Sequence, residues 1–205
     1  MNVRTALRRA GGLCAAGALG ALLAGCGIRA TEVPTDFGPA PSRVRCSPTG
    51  AEASARADRG VPAQVFLLCG SSLVAVDRAV RVPDGAADSR RVLVAQGLLD
   101  ALSEGPSAAE RQAGYDTRVP RGTTVSGPRP GDPEDALRLS TAPGDLASAG
   151  LAQVVCTLSD SAATEGDGSV ILGGPGDARP RRYACTDEVR SRPDGEAPPS
   201  EAAGG

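Results

Sequence analysis

Six cysteines, at positions 14, 26, 46, 69, 156 and 185, constrain this chain more than any other feature. How many of them can cross-link depends on where the chain resides, and its first residues bear on that. Residues 1–9 carry Arg4, Arg8 and Arg9 and no acid, and residues 11–25 are an unbroken run of small and apolar side chains. A run this short behind a basic flank reads as the apolar region of an export signal, because a membrane span needs about 20 apolar residues. Cys14 then leaves with the leader, and Cys26 stands at the leader's end. Cys46, Cys69, Cys156 and Cys185 remain, an even number in an oxidising compartment, which reads as two disulfides. Four cysteines allow three connectivities, of which the sequence-near pairs Cys46–Cys69 and Cys156–Cys185 are favoured. A zinc site is the rival, disfavoured because the chain has neither a Cys-x-x-Cys pair nor any His.

The end of the signal is more specific than its middle. Leu23-Ala24-Gly25-Cys26 resembles the lipobox of bacterial lipoproteins, in which the Cys thiol is acylated and becomes the new N-terminus. The resemblance implies a membrane-anchored protein on the extracytoplasmic face, because two or three acyl chains suffice for stable anchoring.

Composition excludes several function classes. Without His, every Ser–His, Cys–His or His-ligated mechanism is closed. Aromatic residues make up 2% of the chain, too few for a base-stacking surface. The net charge is −2 and becomes more negative once the three Arg of the leader are removed, so nothing draws the protein to nucleic acid. Every one of the 22 basic residues is Arg and the only Asn is Asn2, a codon bias expected of a high-GC bacterial genome.

The mature chain divides into three parts. Residues 26–62 carry Pro34, Pro39, Pro41, Pro48 and Pro62 without an apolar period and read as a tether. Residues 191–205, rich in Pro, Ala, Gly and Glu, read as a disordered tail. Between them, residues 63–190 read as one α+β domain. Val65-Phe66-Leu67-Leu68-Cys69 is a buried strand, and Leu73 to Val82 is its hairpin partner across Gly70-Ser71-Ser72. Ser89 stands as a cap before a helix with Val92, Ala95, Leu98, Leu99 and Leu102 on one face, stopped by Gly105-Pro106. Ser107 to Glu110 is a capping box for a further short turn. Strands are expected at 123–125 and 136–140, the latter by strict alternation, and a helix from Pro143 to about Ser159. Two more strands follow at 169–172 and 182–185. The resulting order, β-β-α-β-β-α-β-β, predicts a small sheet with two main helices packed on one face.

Leu73-Val74-Ala75-Val76-Asp77-Arg78 after a short strand, then Leu98-Leu99 leading to Glu104-Gly105-Pro106-Ser107 and Glu110, resembles the GerMN domain of sporulation and germination proteins. Val119-Pro120-Arg121-Gly122-Thr123 and Gln153, Thr157 and Leu158 in the second helix extend the likeness over residues 63–174. The loop 131–135 and the four cysteines depart from the family pattern. The resemblance implies a non-catalytic actinomycete lipoprotein with envelope-protein partners, a sensor kinase of the envelope-stress response among them, and no cofactor.

Other clusters carry little chemistry of their own. Asp132, Glu134 and Asp135 form the tightest acidic group, but in a Pro-Gly loop without a nucleophile beside them they read as solvated. Gly173-Gly174-Pro175-Gly176 lacks the Lys and helix of a phosphate loop and reads as a turn. Arg179, Arg181 and Arg182 beside Tyr183 read as a solvated strand end. No catalytic residue is expected. The alternative to an interaction module is a lipoprotein that binds a ligand or envelope polymer between helices and sheet.

Overall fold

The computed structural model describes residues 46, 60–85, 89–164 and 166–204. The leader 1–25, the lipidation residue Cys26 and most of the 26–62 tether lie outside the described residues. In chain order the elements are β1 (Val61–Cys69), β2 (Ser72–Val80), α1 (Arg90–Glu104), α2 (Ala108–Gln112), β3 (Tyr115–Asp116), β4 (Val125–Ser126), β5 (Leu137–Leu139), α3 (Ser148–Ser159), β6 (Ser169–Gly173), β7 (Arg181–Ala184), α4 (Asp187–Ser191) and β8 (Ser200–Ala202). The fold is α+β, with α1 and α3 as its two main helices.

β1 and β2 form an antiparallel hairpin with Val65 opposite Val76 and Leu67 opposite Val74. Gly70, at φ 61°, supplies the left-handed residue its two-residue turn requires. The apolar run of β1 is continuous because both faces of the strand are covered. Val65 and Leu67 pack with Val76, Leu98, Leu99 and Leu102, while Phe66 and Leu68 pack with Leu73, Ala149, Ala152 and Cys156. Pro62 sits in β1 without breaking the hairpin, since its missing N–H falls on the side away from β2, the side to which the Phe66 amide turns.

The single sheet expected from the sequence is two sheets. The first has the order β2-β1-β3 and the second β4-β5-β6-β7-β8. What divides them is α3. β3 pairs with only Leu68 and Cys69 of β1. Two residues further back, α3 takes the place of a strand. The Phe66 N–H donates to Thr157 Oγ1 at 2.9 Å, and Gln153 Nε2 donates to the Phe66 carbonyl at 3.0 Å. Gln153 and Thr157 are one helical turn apart, which puts both on the face turned to β1. Gln153 Oε1 also accepts the Arg118 N–H at 2.7 Å. The other faces of α3 meet β6, β7 and α1, so every residue from Ala149 to Ser159 is buried. It is also the crossover between β5 and β6, the one parallel pair among the described residues.

Four local expectations need correction. Ser89 does not cap α1: it has αR dihedrals and its side chain accepts no hydrogen bond, whereas a capping residue is extended. The helix expected from Pro143 is a 3-10 turn over Pro143–Asp145, an extended Leu146, and then α3. The strand expected at 123–125 is Val125–Ser126. The 191–205 tail is not free. Pro193 and Pro198 are buried, the Ala184 N–H donates to the Pro199 carbonyl at 3.1 Å, and β8 pairs with β7. Proline signals disorder in a linker but is itself an apolar side chain, and here it is used as one. By contrast, the Ser107 capping box forms as read, with Ser107 Oγ and Glu110 exchanging bonds with each other's backbone.

The α3–β1 contact can be tested directly. Gln153→Leu leaves the Phe66 carbonyl and the Arg118 N–H without partners. At about 1–3 kcal/mol for each unsatisfied group, it should destabilise by about 2–6 kcal/mol in urea unfolding. Thr157→Val removes one acceptor and should cost about 1–3 kcal/mol. A Gln153→Leu protein as stable as wild type would show that the clamp does not hold α3 in place.

Candidate functional site

Both disulfides join the sequence-near pairs. Cys46 is bonded to Cys69 and Cys156 to Cys185, with Cα separations of 5.9 and 4.9 Å. The first ties residue 46 to the last residue of β1, beside the hairpin turn. The second ties the middle of α3 to the end of β7. Cys156 is fully buried and Cys185 half-buried.

The acidic loop is not simply solvated. Alternation along residues 136–140 points Arg138 outward, yet Arg138 and Asp132 are both buried, their side chains 4% and 6% exposed. Arg138 Nε and Nη2 hold the two Asp132 oxygens at 2.6 and 2.7 Å. Its Nη1 donates to the Gly174 and Gly176 carbonyls, each at 2.8 Å, and Nη2 reaches the Ala178 carbonyl at 3.3 Å. All five guanidinium protons are therefore used. Arg129 adds bonds to the Pro175 and Gly176 carbonyls. The glycine turn thus presents carbonyls to two cations, the reverse of a phosphate loop, whose N–H groups point inward. Arg138 donation, reinforced by the Arg129 N–H, holds the Asp132 carboxyl down at about 2.

A second guanidinium–carboxylate pair braces the first sheet. Arg78 of β2 grips Glu110 of α2 through two bonds of 2.8 Å. Burial pushes the Glu110 carboxyl up, but Arg78 and the Ser107 N–H outweigh it and the net direction is downward. Tyr115 lies against this pair, and its buried hydroxyl has no hydrogen-bond partner among the described residues. Burial and the Glu110 charge raise its pKa.

The three arginines at and before the start of β7 part company. Arg179 is exposed, Arg181 bonds Ser200 of β8 at 3.0 and 2.9 Å, and Arg182 stands between Asp135 and Asp167 at 3.8 and 3.6 Å. Glu134 contributes only its carbonyl, to Arg91. Two surface recesses adjoin these groups. One, beside Arg182, is lined by Arg91, Asp135, Thr164, Asp167 and Ser169. The other is an open cleft of about 170 Å³ bordered by Thr124, Ser126, Arg129 and Ser140. Among the described residues no three His, Cys, Asp or Glu side chains come together as metal ligands. Sequence reading missed Arg138, Gln153 and Thr157 as partners in these contacts. The one signal was their polarity within otherwise apolar segments. Set against protein-family models, curated proteins and solved structures, the chain matches none.

The Asp132 pair fixes a sign for acid stability. A carboxyl whose folded pKa lies below its unfolded value contributes stability above the unfolded value, and that contribution is lost as pH falls through the folded one. For Asp132 the window runs from the usual 3.8 down to about 2. The melting temperature of Asp132→Asn should lie below wild type at pH 6, with the gap closing between pH 4 and pH 2. A gap that stays constant across this range would mean that the charge of Asp132 contributes nothing.

Proposed function

We propose that this chain is a lipid-anchored interaction module of the cell envelope, held to the membrane through Cys26 and acting by contact with extracytoplasmic proteins, a sensor kinase among them. The observation that carries this reading is the Cys46–Cys69 bridge. It fastens the segment that follows Cys26 covalently to the core strand β1. This arrangement suits a domain presented from a surface, and stable disulfides suit an oxidising compartment. The chemistry of the domain supports contact over catalysis. Its buried or half-buried side chains Arg78, Glu110, Asp132, Arg138, Gln153 and Thr157 bond one another and backbone groups. The cleft of about 170 Å³ is smaller than the roughly 300–1,000 Å³ of pockets that enclose small ligands.

A second reading rests on that cleft. Thr124, Ser126, Ser140 and Arg129 line it, a set of hydroxyl and guanidinium residues that suits a hydroxyl- or acid-bearing stretch of envelope polymer. Retention of the purified domain on isolated cell-wall material, lost in Arg129→Ala, would favour it.

The anchored-module reading has two separable tests. Cys26→Ser should move the protein from the membrane fraction and abolish labelling by a fatty-acid probe, and a label that persists would overturn the anchor. In-cell crosslinking should then recover envelope proteins with wild type and with a variant whose residues 30–45 are replaced by a flexible linker of equal length. Leu99→Asp should recover none, because an unpaired charge in the core costs several kcal/mol against a total stability of about 5–15. Partners lost with the linker exchange but kept in Leu99→Asp would place the contact surface in the tether.

A further inference from the structure

We propose that Cys185 is the sulfur through which an external disulfide makes, and an external thiol exchanges, the Cys156–Cys185 bridge. The two sulfurs of this bridge stand in opposite surroundings. Cys156, in the middle of α3, is 0% exposed and packed among Phe66, Leu68, Ala152 and Val189. Cys185 is half-buried in the junction between β7 and α4, where its N–H is fixed to the Gly168 carbonyl at 2.9 Å. Thr186 caps α4, and the first turn of that helix brings Arg190 back over the junction. Arg190 Nη1 lies 3.5 Å from Cys185 Sγ, while its Nη2 is held by Asp187. A guanidinium at this distance favours the thiolate, the form that attacks disulfides, although Asp187 offsets part of its charge.

The chemistry follows from that asymmetry. In the reduced, folded chain the Cys185 thiolate attacks one sulfur of the oxidant's disulfide. A mixed disulfide forms, and the oxidant's other half leaves as a thiolate. The Cys156 thiol then loses its proton and attacks Cys185 Sγ, closing the bridge and releasing the second half as a thiolate. The chain's two thiols are oxidised and the oxidant's disulfide is reduced to two thiols. Exchange with an external thiol runs the same steps backwards. Cys156 resolves the mixed disulfide and never meets the oxidant.

Glutathione disulfide serves as the probe, with adduct formation followed by mass spectrometry under native conditions. Cys156→Ser, which leaves Cys185 free and the Cys46–Cys69 bridge intact, should form the mixed disulfide. Cys185→Ser, which leaves Cys156 free, should react only in denaturant. Adding Arg190→Ala to Cys156→Ser should slow the reaction at pH 7, because greater nucleophilicity offsets only about half of any loss of thiolate. Arg190→Lys should restore most of the rate. Should either cysteine variant lose its native circular dichroism, partially reduced wild type treated with the same probe and acid-quenched decides the matter, with the adduct mapped by peptide to Cys185. Equal native reactivity of Cys156 and Cys185, an adduct mapped to Cys156, or a rate indifferent to Arg190 would overturn the proposal.

Discussion

The peptide group of Phe66 is the point on which the fold turns. A strand in the middle of a sheet has both edges satisfied by other strands, but β1 has β2 along one edge and only the two residues of β3 on the other. Leaving the Phe66 N–H and carbonyl unpaired in a core would cost about 1–3 kcal/mol each. Thr157 and Gln153 prevent that by offering an acceptor and a donor at the spacing of one helical turn. Because a helix now occupies the edge, the sheet ends there. The second sheet must form on the far side of α3, joined to the first through that helix. An otherwise apolar helix buried on all sides is a core element rather than a surface one, and here its polar pair is what attaches it to β1.

This contact also marks the limit of what the sequence discloses. β1, β2 and α1 are legible because their periodicities are local and unopposed: a continuous apolar run, a hairpin turn, and a stripe through Ala95, Leu98, Leu99 and Leu102. The Ser107–Glu110 capping box is legible for the same reason. The division into two sheets is not, since it depends on Gln153 and Thr157 meeting a strand nearly ninety positions earlier. Arg138 is misread because alternation assigns a charged residue to the solvent side. Its partners, Asp132 and the 174–178 carbonyls, come together only once β5 and β6 are paired. The tail is misread because composition says nothing of β7's free edge, which β8 covers.

That arginine has a further consequence. The chain contains no Lys and 2% aromatic residues, so bridging the space between loops with a long cationic side chain falls to Arg. Arg138 does so with its aliphatic stem and its planar fork, which accommodates a carboxylate on one side and three carbonyls on the other. An ammonium in its place has three donors on a single nitrogen and could not reach acceptors spread over the 132 and 174–178 segments. Arg78 plays a similar part at Glu110. In both cases the charge is taken up internally, so Asp132, read from the sequence as solvated, is instead an ion-pair partner inside the fold.

The disulfides connect this interior to the chain's N-terminal side. With separations of 23 and 29 residues, each bridge removes enough loop entropy from the unfolded chain to stabilise by about 3 kcal/mol. Their placement matters as much as their strength. Cys46 is bonded to the Cys69 end of β1, so on the proposed anchoring a pull on the tether enters the domain beside the hairpin turn. The opposite end of the strand, at Val61, is bypassed. From Cys69, β1 runs back to Phe66, whose peptide group is clamped to α3, and the Cys156–Cys185 bridge joins α3 to the end of β7. The connection consists of one strand, one helix, the two hydrogen bonds of Phe66 and two disulfides. On the proposed anchoring, the tether is thereby joined covalently to the strand and, through it, to the helix that links the two sheets.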